Sequence, residues 1–192
     1  MLRLLNIIEK NYPEIYQHGE RVSKVLSLFL EYAGINHELI EQASIAARIC
    51  DVGKTLLPVD ILRKEKEGIP LSQEEKECLK KHPKLGVEFI NRYYKKIYDT
   101  ETIISGILSH HERYDGKGYP IGIKKYANYQ TTYTISMISQ IDNLVKKKGV
   151  TIDDAIDEID KDHGNIDPYW VTMFREFLRN ESNRKKVEEI LG

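Results

Sequence analysis

Apolar residues recur at intervals of three and four along almost the whole of this 192-residue chain, so its segments bury a continuous face only if they are α-helices. Helical spacing, rather than the alternation of a half-buried strand, sets the fold class as all-α. The stretches rich in turn residues are short, and no repeat, linker or low-complexity tract interrupts the pattern. Residues 1–192 therefore read as a single domain, a compact helical bundle, and a hydrophobic content of 41% suffices for a buried core.

The periodicity also places the polar residues. Val22, Val25, Leu26, Phe29 and Leu30 form one face of a first helix that stops near Gly34, with His18 one turn earlier on the same face and expected to point inward. Asn36 caps a second helix whose Ile40, Ala43, Ala47 and Cys50 share a face, leaving Cys50 and Asp51 at its end beside a turn containing Gly53. Ser72 with Glu75 makes a capping box, and Pro83 suits the first turn of a helix carrying Val87, Ile90, Tyr94 and Ile97 inward, with His82 at the junction. Ile104, Ile107, Leu108 and His111 share a stripe that runs into the loop Asp115-Gly116-Lys117-Gly118-Tyr119-Pro120. Helices are expected from about 132 to 145 and 151 to 159, then from Asp167-Pro168, and finally around Val187, Ile190 and Leu191.

Charge and composition remove several function classes. Lys and Arg number 29 against 30 Asp and Glu, a net charge of -1, so no global field draws the chain to DNA or an anionic membrane. No apolar run reaches the roughly 20 residues of a membrane helix. Two cysteines, Cys50 and Cys78, without a Cys-x-x-Cys pair, fit a reducing cytoplasm better than a disulfide scaffold. The early acidic and tyrosine residues of the N-terminus are unlike a secretory signal, so a cytoplasmic location is expected.

His18, His82, His110 and His111 stand at helix ends or on apolar faces, and Asp51 is similarly placed. Imidazoles and a carboxylate from different helices can converge on a divalent metal, although a histidine taken alone on an apolar face is more often a hydrogen-bonded core residue. Their order along the chain narrows the choice. His18 with Arg21-Val22 is followed by Asp51-Val52-Gly53-Lys54, Pro58-x-x-Ile61-Leu62, Leu71-Ser72-x-Glu74, Lys81-His82-Pro83-x-x-Gly86, and the unbroken block His110-His111-Glu112-Arg113-Tyr114-Asp115-Gly116-Lys117-Gly118-Tyr119-Pro120. From about His18 to Phe174, with a terminal helix beyond, this string resembles the HD-GYP family, the cyclic di-GMP phosphodiesterase branch of the HD metal-dependent phosphohydrolases.

The resemblance implies an HD-like helical bundle with a C-terminal helical extension. It also implies two or three metals, usually iron or manganese, that activate water against a cyclic dinucleotide. One metal would use His18, the residue at 50, Asp51 and the residue at 140; a second would share Asp51 and take His82, His110 and His111. Lys54 matches a phosphate-binding lysine, making Asp51 and Lys54 the catalytic candidates. Gly116, Lys117, Gly118 and Tyr119 match the loop that faces substrate. Glu112 would orient a histidine from behind.

The chain departs from that pattern at the first metal. The His-Asp pair is here Cys50-Asp51, and the later Asp-x-x-Asp-Ala is set against Gln140-Ile141-Asp142-Asn143. A thiolate holds zinc or iron, but a neutral amide oxygen replaces a carboxylate poorly. Thr134 stands for an expected arginine, and Val145-Lys146-Lys147-Lys148-Gly149 replaces a substrate-facing stretch, the lysines otherwise serving as a solvated helix end. The expectation is one divalent transition metal rather than two or three, cyclic dinucleotide binding, and weakened or lost hydrolysis. The alternatives are an active phosphodiesterase using the remaining site, and a module that docks another signalling protein through the Gly-Tyr-Pro loop.

Overall fold

The computed structural model describes residues 2–94, 101–123 and 130–192, and among them no strand occurs. The helices are α1 (Leu2–Asn11), α2 (Pro13–Tyr32), α3 (His37–Ile49), a 3-10 turn (Val52–Leu56), α4 (Val59–Glu67), α5 (Gln73–Leu79), α6 (His82–Tyr93), α7 (Glu101–Ser109), α8 (Gln130–Lys148), α9 (Ile152–Lys161), α10 (Pro168–Arg179) and α11 (Glu181–Leu191). The all-α bundle is as the periodicity requires. No described helix is long and apolar enough to cross a membrane.

Local chemistry sets the boundaries. Asn36 accepts from the Leu39 amide at the start of α3, Ser72 and Glu75 close the capping box of α5, Thr151 caps α9, and Asp167 caps α10 with Pro168 next to it. Two helices lie outside the sequence reading. Leu4 and Ile8 of α1 are buried, and α4 follows Pro58 and ends on left-handed Gly68. On α7 the buried positions are Ile103, Gly106, Ile107 and Ser109; Ile107 faces inward as expected, but Ile104 and Leu108 are only partly covered, so the inward face is turned toward Ile103 and Gly106. The inward placement expected of Ile97 lies outside the described residues.

Two apolar clusters result. The larger joins α2, α3 and α8 to α11, with Phe29 of α2 meeting Trp170 at 5.9 Å, Phe174 at 5.0 Å and Phe177 at 5.7 Å between ring centroids. These contacts fasten the C-terminal helices to the rest. The smaller is built from Leu4, Ile8, Ile49, Val52, Ile90, Ile103 and Ile107. It holds α3, α6 and α7 side by side, so that the end of α3, the start of α6 and the residues after α7 arrive at one place.

Candidate metal centre

At that place Asp51, His82, His110 and His111 each offer a ligand atom within 4.8 Å of all the others. Backbone packing fixes the approach. Gly53, in the 3-10 turn, lies so close to α6 that a Cβ would stand 1.9 Å from the His82 carbonyl oxygen and 2.5 Å from the Gly86 amide nitrogen. Glycine alone lets the segment carrying Asp51 and Lys54 press against His82.

The imidazoles are oriented from behind. Nδ1 of His82 donates to the Leu79 carbonyl at 2.7 Å, and Nδ1 of His110 donates to the Ile107 carbonyl at 2.8 Å. A carbonyl only accepts, so both Nδ1 atoms carry hydrogen and both Nε2 atoms face the cluster with a lone pair. Those Nε2 atoms lie 3.1 Å apart, and 3.2 Å (His82) and 3.5 Å (His110) from Oδ1 of Asp51. That oxygen is buried and has no hydrogen-bond partner. Three electron-rich atoms so close together, one a solvent-excluded carboxylate oxygen, match what a divalent cation needs from its ligands and are costly without one. The residues fit a metal.

The electrostatics agree. Burial opposes ionisation of Asp51, but the Lys54 ammonium beside it counters this, and the carboxyl lies well below the usual range. Burial pushes His110 down, and burial together with its two neighbouring imidazoles pushes His111 well down, favouring the neutral form that ligates. Burial also acts against the Lys54 ammonium, yet Asp51 and Glu65 raise it above its ordinary value. Its Nζ lies 3.1 Å from Oδ2 of Asp51 and 3.2 Å from Oε1 of Glu65.

The glycine-rich loop folds over the cluster. Tyr119 stacks on His111 with ring centroids 4.7 Å apart, and its amide donates to the His111 carbonyl at 3.2 Å. A Cβ on Gly118 would meet the Arg113 nitrogen at 2.4 Å, which explains the glycine there. The Gly116 amide closes a turn onto the Arg113 carbonyl, while the Lys117 side chain is exposed. Glu112 does not orient a histidine as expected. Its buried carboxylate accepts from the amides of Ile121 (2.7 Å), Gly122 (3.0 and 3.1 Å) and Ile123 (3.0 Å), anchoring the far end of the loop. Arg113 clamps both Asp115 and Asp162.

The three residues added for a first metal do not join the cluster. Cys50 is buried, its Sγ donates to the Ala47 carbonyl at 3.3 Å, and burial with the neighbouring Asp51 raises the thiol above its ordinary value. Gln140 exchanges hydrogen bonds with Asn165 and donates to Ser136, away from the histidines. An Asp-x-x-Asp spacing that ends on Asp142 begins on Ser139, and it is Ser139 that stands 3.0 Å from Nε2 of His18. His18 has its Nδ1 2.6 Å from Oδ2 of Asp142, and its Nε2 comes no nearer to Asp51 than 3.9 Å. Arg21, one turn beyond His18, binds both oxygens of Asp142 at 2.6 and 2.9 Å. Ser139, Asp142, Glu65 and Glu112 are the site-forming residues that the sequence reading missed or misplaced; the three-residue step between Ser139 and Asp142 was the available signal.

The sequence model of the HD domain family matches residues 3–169. The chain belongs to the HD domain family. Among proteins similar to this HD domain are the cyclic di-GMP phosphodiesterase response regulator RpfG of Xanthomonas campestris pv. campestris, 30% identical over 178 residues, which are 90% of this chain and 44% of that protein. A cyclic di-GMP phosphodiesterase of Thermotoga maritima is 29% identical over 186 residues, 94% of this chain and 49% of its own. The HD domain thus spans about half the length of these relatives. An HDG"Y"P protein from Bdellovibrio bacteriovorus has the same fold, with a TM-score of 0.69, 23% identity, and coverage of 86% of this chain and 53% of that one. The two sequence relatives support the HD-GYP branch that the motif string resembles, and the solved structure shows the shared fold.

Proposed function

We propose that this HD domain holds one divalent transition metal, iron or manganese in preference to zinc, on Asp51, His82, His110 and His111. It binds a cyclic dinucleotide such as cyclic di-GMP beside that metal, in cytoplasmic signalling, with phosphodiester hydrolysis weak or lost. One observation carries the reading: the ligand atoms of this set converge around the orphaned Oδ1 of Asp51, whereas Ser139 and Asp142 engage both ring nitrogens of His18. Relatives that act as cyclic di-GMP phosphodiesterases support the choice of ligand class.

When bound, a metal here supplies a water ionised near neutral pH and a positive charge against the phosphoryl oxygens. The chain supplies the rest. The Nδ1 hydrogen bonds of His82 and His110 fix the ring orientations, Lys54 presents an ammonium beside Asp51, and Tyr119 on its glycine loop closes over His111. In-line displacement is best served by two metals that hold the attacking and leaving oxygens, so a mononuclear site forgoes several kcal/mol of transition-state stabilisation.

Metal content and cyclic di-GMP hydrolysis, measured on one anaerobically purified sample with iron or manganese supplied, test this. About one ion per chain, bound cyclic di-GMP and no linear product is the expected result. Rapid metal-dependent hydrolysis would overturn the impaired-enzyme part of the reading. Protein free of metal under all loading conditions would overturn the whole.

A further inference from the structure

The three lysines that end α8 do not act as one patch. Lys146 donates to the Gly192 carbonyl and Lys148 pairs with Glu158, but Lys147 turns toward α4, its Nζ 3.5 Å from Oε1 of Glu65. That same oxygen lies 3.2 Å from Nζ of Lys54, which also touches Asp51 of the metal cluster. A single carboxylate oxygen is therefore shared between two ammonium groups from separate elements, at the edge of the site. We propose that Lys54 and Lys147 form a phosphate subsite, and that Glu65 fills it as an internal carboxylate which an incoming phosphate group displaces.

The chemistry of exchange is favourable. Carboxylate and phosphate oxygens make the same charge-assisted hydrogen bonds to ammonium, and a phosphodiester carries one negative charge, as Glu65 does. Its two non-bridging oxygens can satisfy both lysines while Glu65 moves to water. A route exists: Lys54 is largely covered, with a side-chain exposure of 14%, but Glu65 is 23% and Lys147 51% exposed, so the subsite opens to solvent on the Lys147 side. The lysines flanking Glu65 on α4 are committed elsewhere, Lys64 to Glu75 and Lys66 to Glu14, and do not hold it in place. Glu65 then acts as a specificity filter, because a ligand without an anionic group gains nothing that offsets the lost ion pairs. The inference rests on the phosphodiester-binding reading given above, and deepens it.

Calorimetric titration of the metal-loaded protein with cyclic di-GMP, and separately with inorganic phosphate, tests the subsite. Glu65→Gln is expected to tighten both ligands about tenfold by removing the competing charge. Lys147→Gln is expected to weaken wild-type binding about threefold and to erase most of the gain in the Glu65→Gln background. Lys148→Gln, which removes a neighbouring charge directed at Glu158, should leave both affinities unchanged, and thermal midpoints report that each variant is folded. Phosphate affinity that stays level or falls in Glu65→Gln overturns the subsite, whatever the dinucleotide does. A tenfold gain for phosphate, with cyclic di-GMP ignored by every variant, supports the subsite and instead overturns the dinucleotide reading on which it was built.

Discussion

His18 and Asp142, 124 residues apart in sequence, are joined by a 2.6 Å contact between Nδ1 and Oδ2, and Arg21 closes the group with bonds to both oxygens of the same carboxylate. Asp142 is almost fully buried, so the group ties α2 to α8 behind the metal cluster. Asp142→Asn leaves Arg21 without its counter-charge and is expected to destabilise the fold by about 3 kcal/mol at pH 7.

The pH dependence of that difference has a definite sign. Burial opposes ionisation of Asp142, but the bonds from His18 and Arg21 hold its carboxyl below the ordinary value of 3.8. A depressed native pKa gives stability that is fully present above the unfolded value and disappears as pH falls through the native one. Thermal unfolding of wild type and Asp142→Asn should therefore differ most above the ordinary carboxyl value of 3.8 and converge only as pH falls below it, through the lower native value.

Loss of one ligand should separate the cluster from its neighbours. His82→Ala and His110→Ala are each expected to reduce metal content at least tenfold, measured by plasma mass spectrometry after dialysis. His18→Ala should retain the metal. Equal losses in all three variants would show that His18 is a ligand after all.

Ser139 and Gln140 give a direct test of register. Cys50→His together with Ser139→Asp rebuilds the carboxylate and imidazole that a first metal needs, and should raise the metal content toward about two ions per chain. Cys50→His with Gln140→Asp should not, because position 140 points toward Asn165.

The same pair shows how far the sequence could be read. Hydrophobic spacing and caps specify the helices because both are local, and they led to the helix ends at which Asp51, His82 and His110 meet. Position on a helix is less forgiving: one residue of misalignment turns a side chain by about 100° around the axis, enough to exchange Ser139 for Gln140, or Ile103 for Ile104. Glu112 and Glu65 were illegible for another reason. Their partners are backbone amides and lysines brought close only by tertiary packing, and no periodicity records such contacts.

Gly53 allows no side chain. Gly53→Ala forces the 3-10 turn off the His82 carbonyl and is expected to destabilise the protein by about 3 kcal/mol or more, with parallel loss of metal. A variant that unfolds at the wild-type temperature and keeps its metal would show that the close approach relaxes freely.

Glu112→Gln replaces one of the two acceptor oxygens that hold three backbone amides with an amide NH2, which cannot accept. It is expected to weaken loop anchoring by about 2 kcal/mol, seen as faster hydrogen exchange at Ile121 to Ile123 and little change within α3.

Glu112 is the residue immediately after His111, so the anchor of the loop and a donor to the metal cluster sit on adjacent α-carbons, about 3.8 Å apart. A guest that lifts Tyr119 and the loop pulls on the backbone at Glu112, and that pull arrives at the His111 ring without crossing any helix. The chain thereby contains a one-residue mechanical linkage between the anchored loop and the Asp51, His82, His110 and His111 cluster.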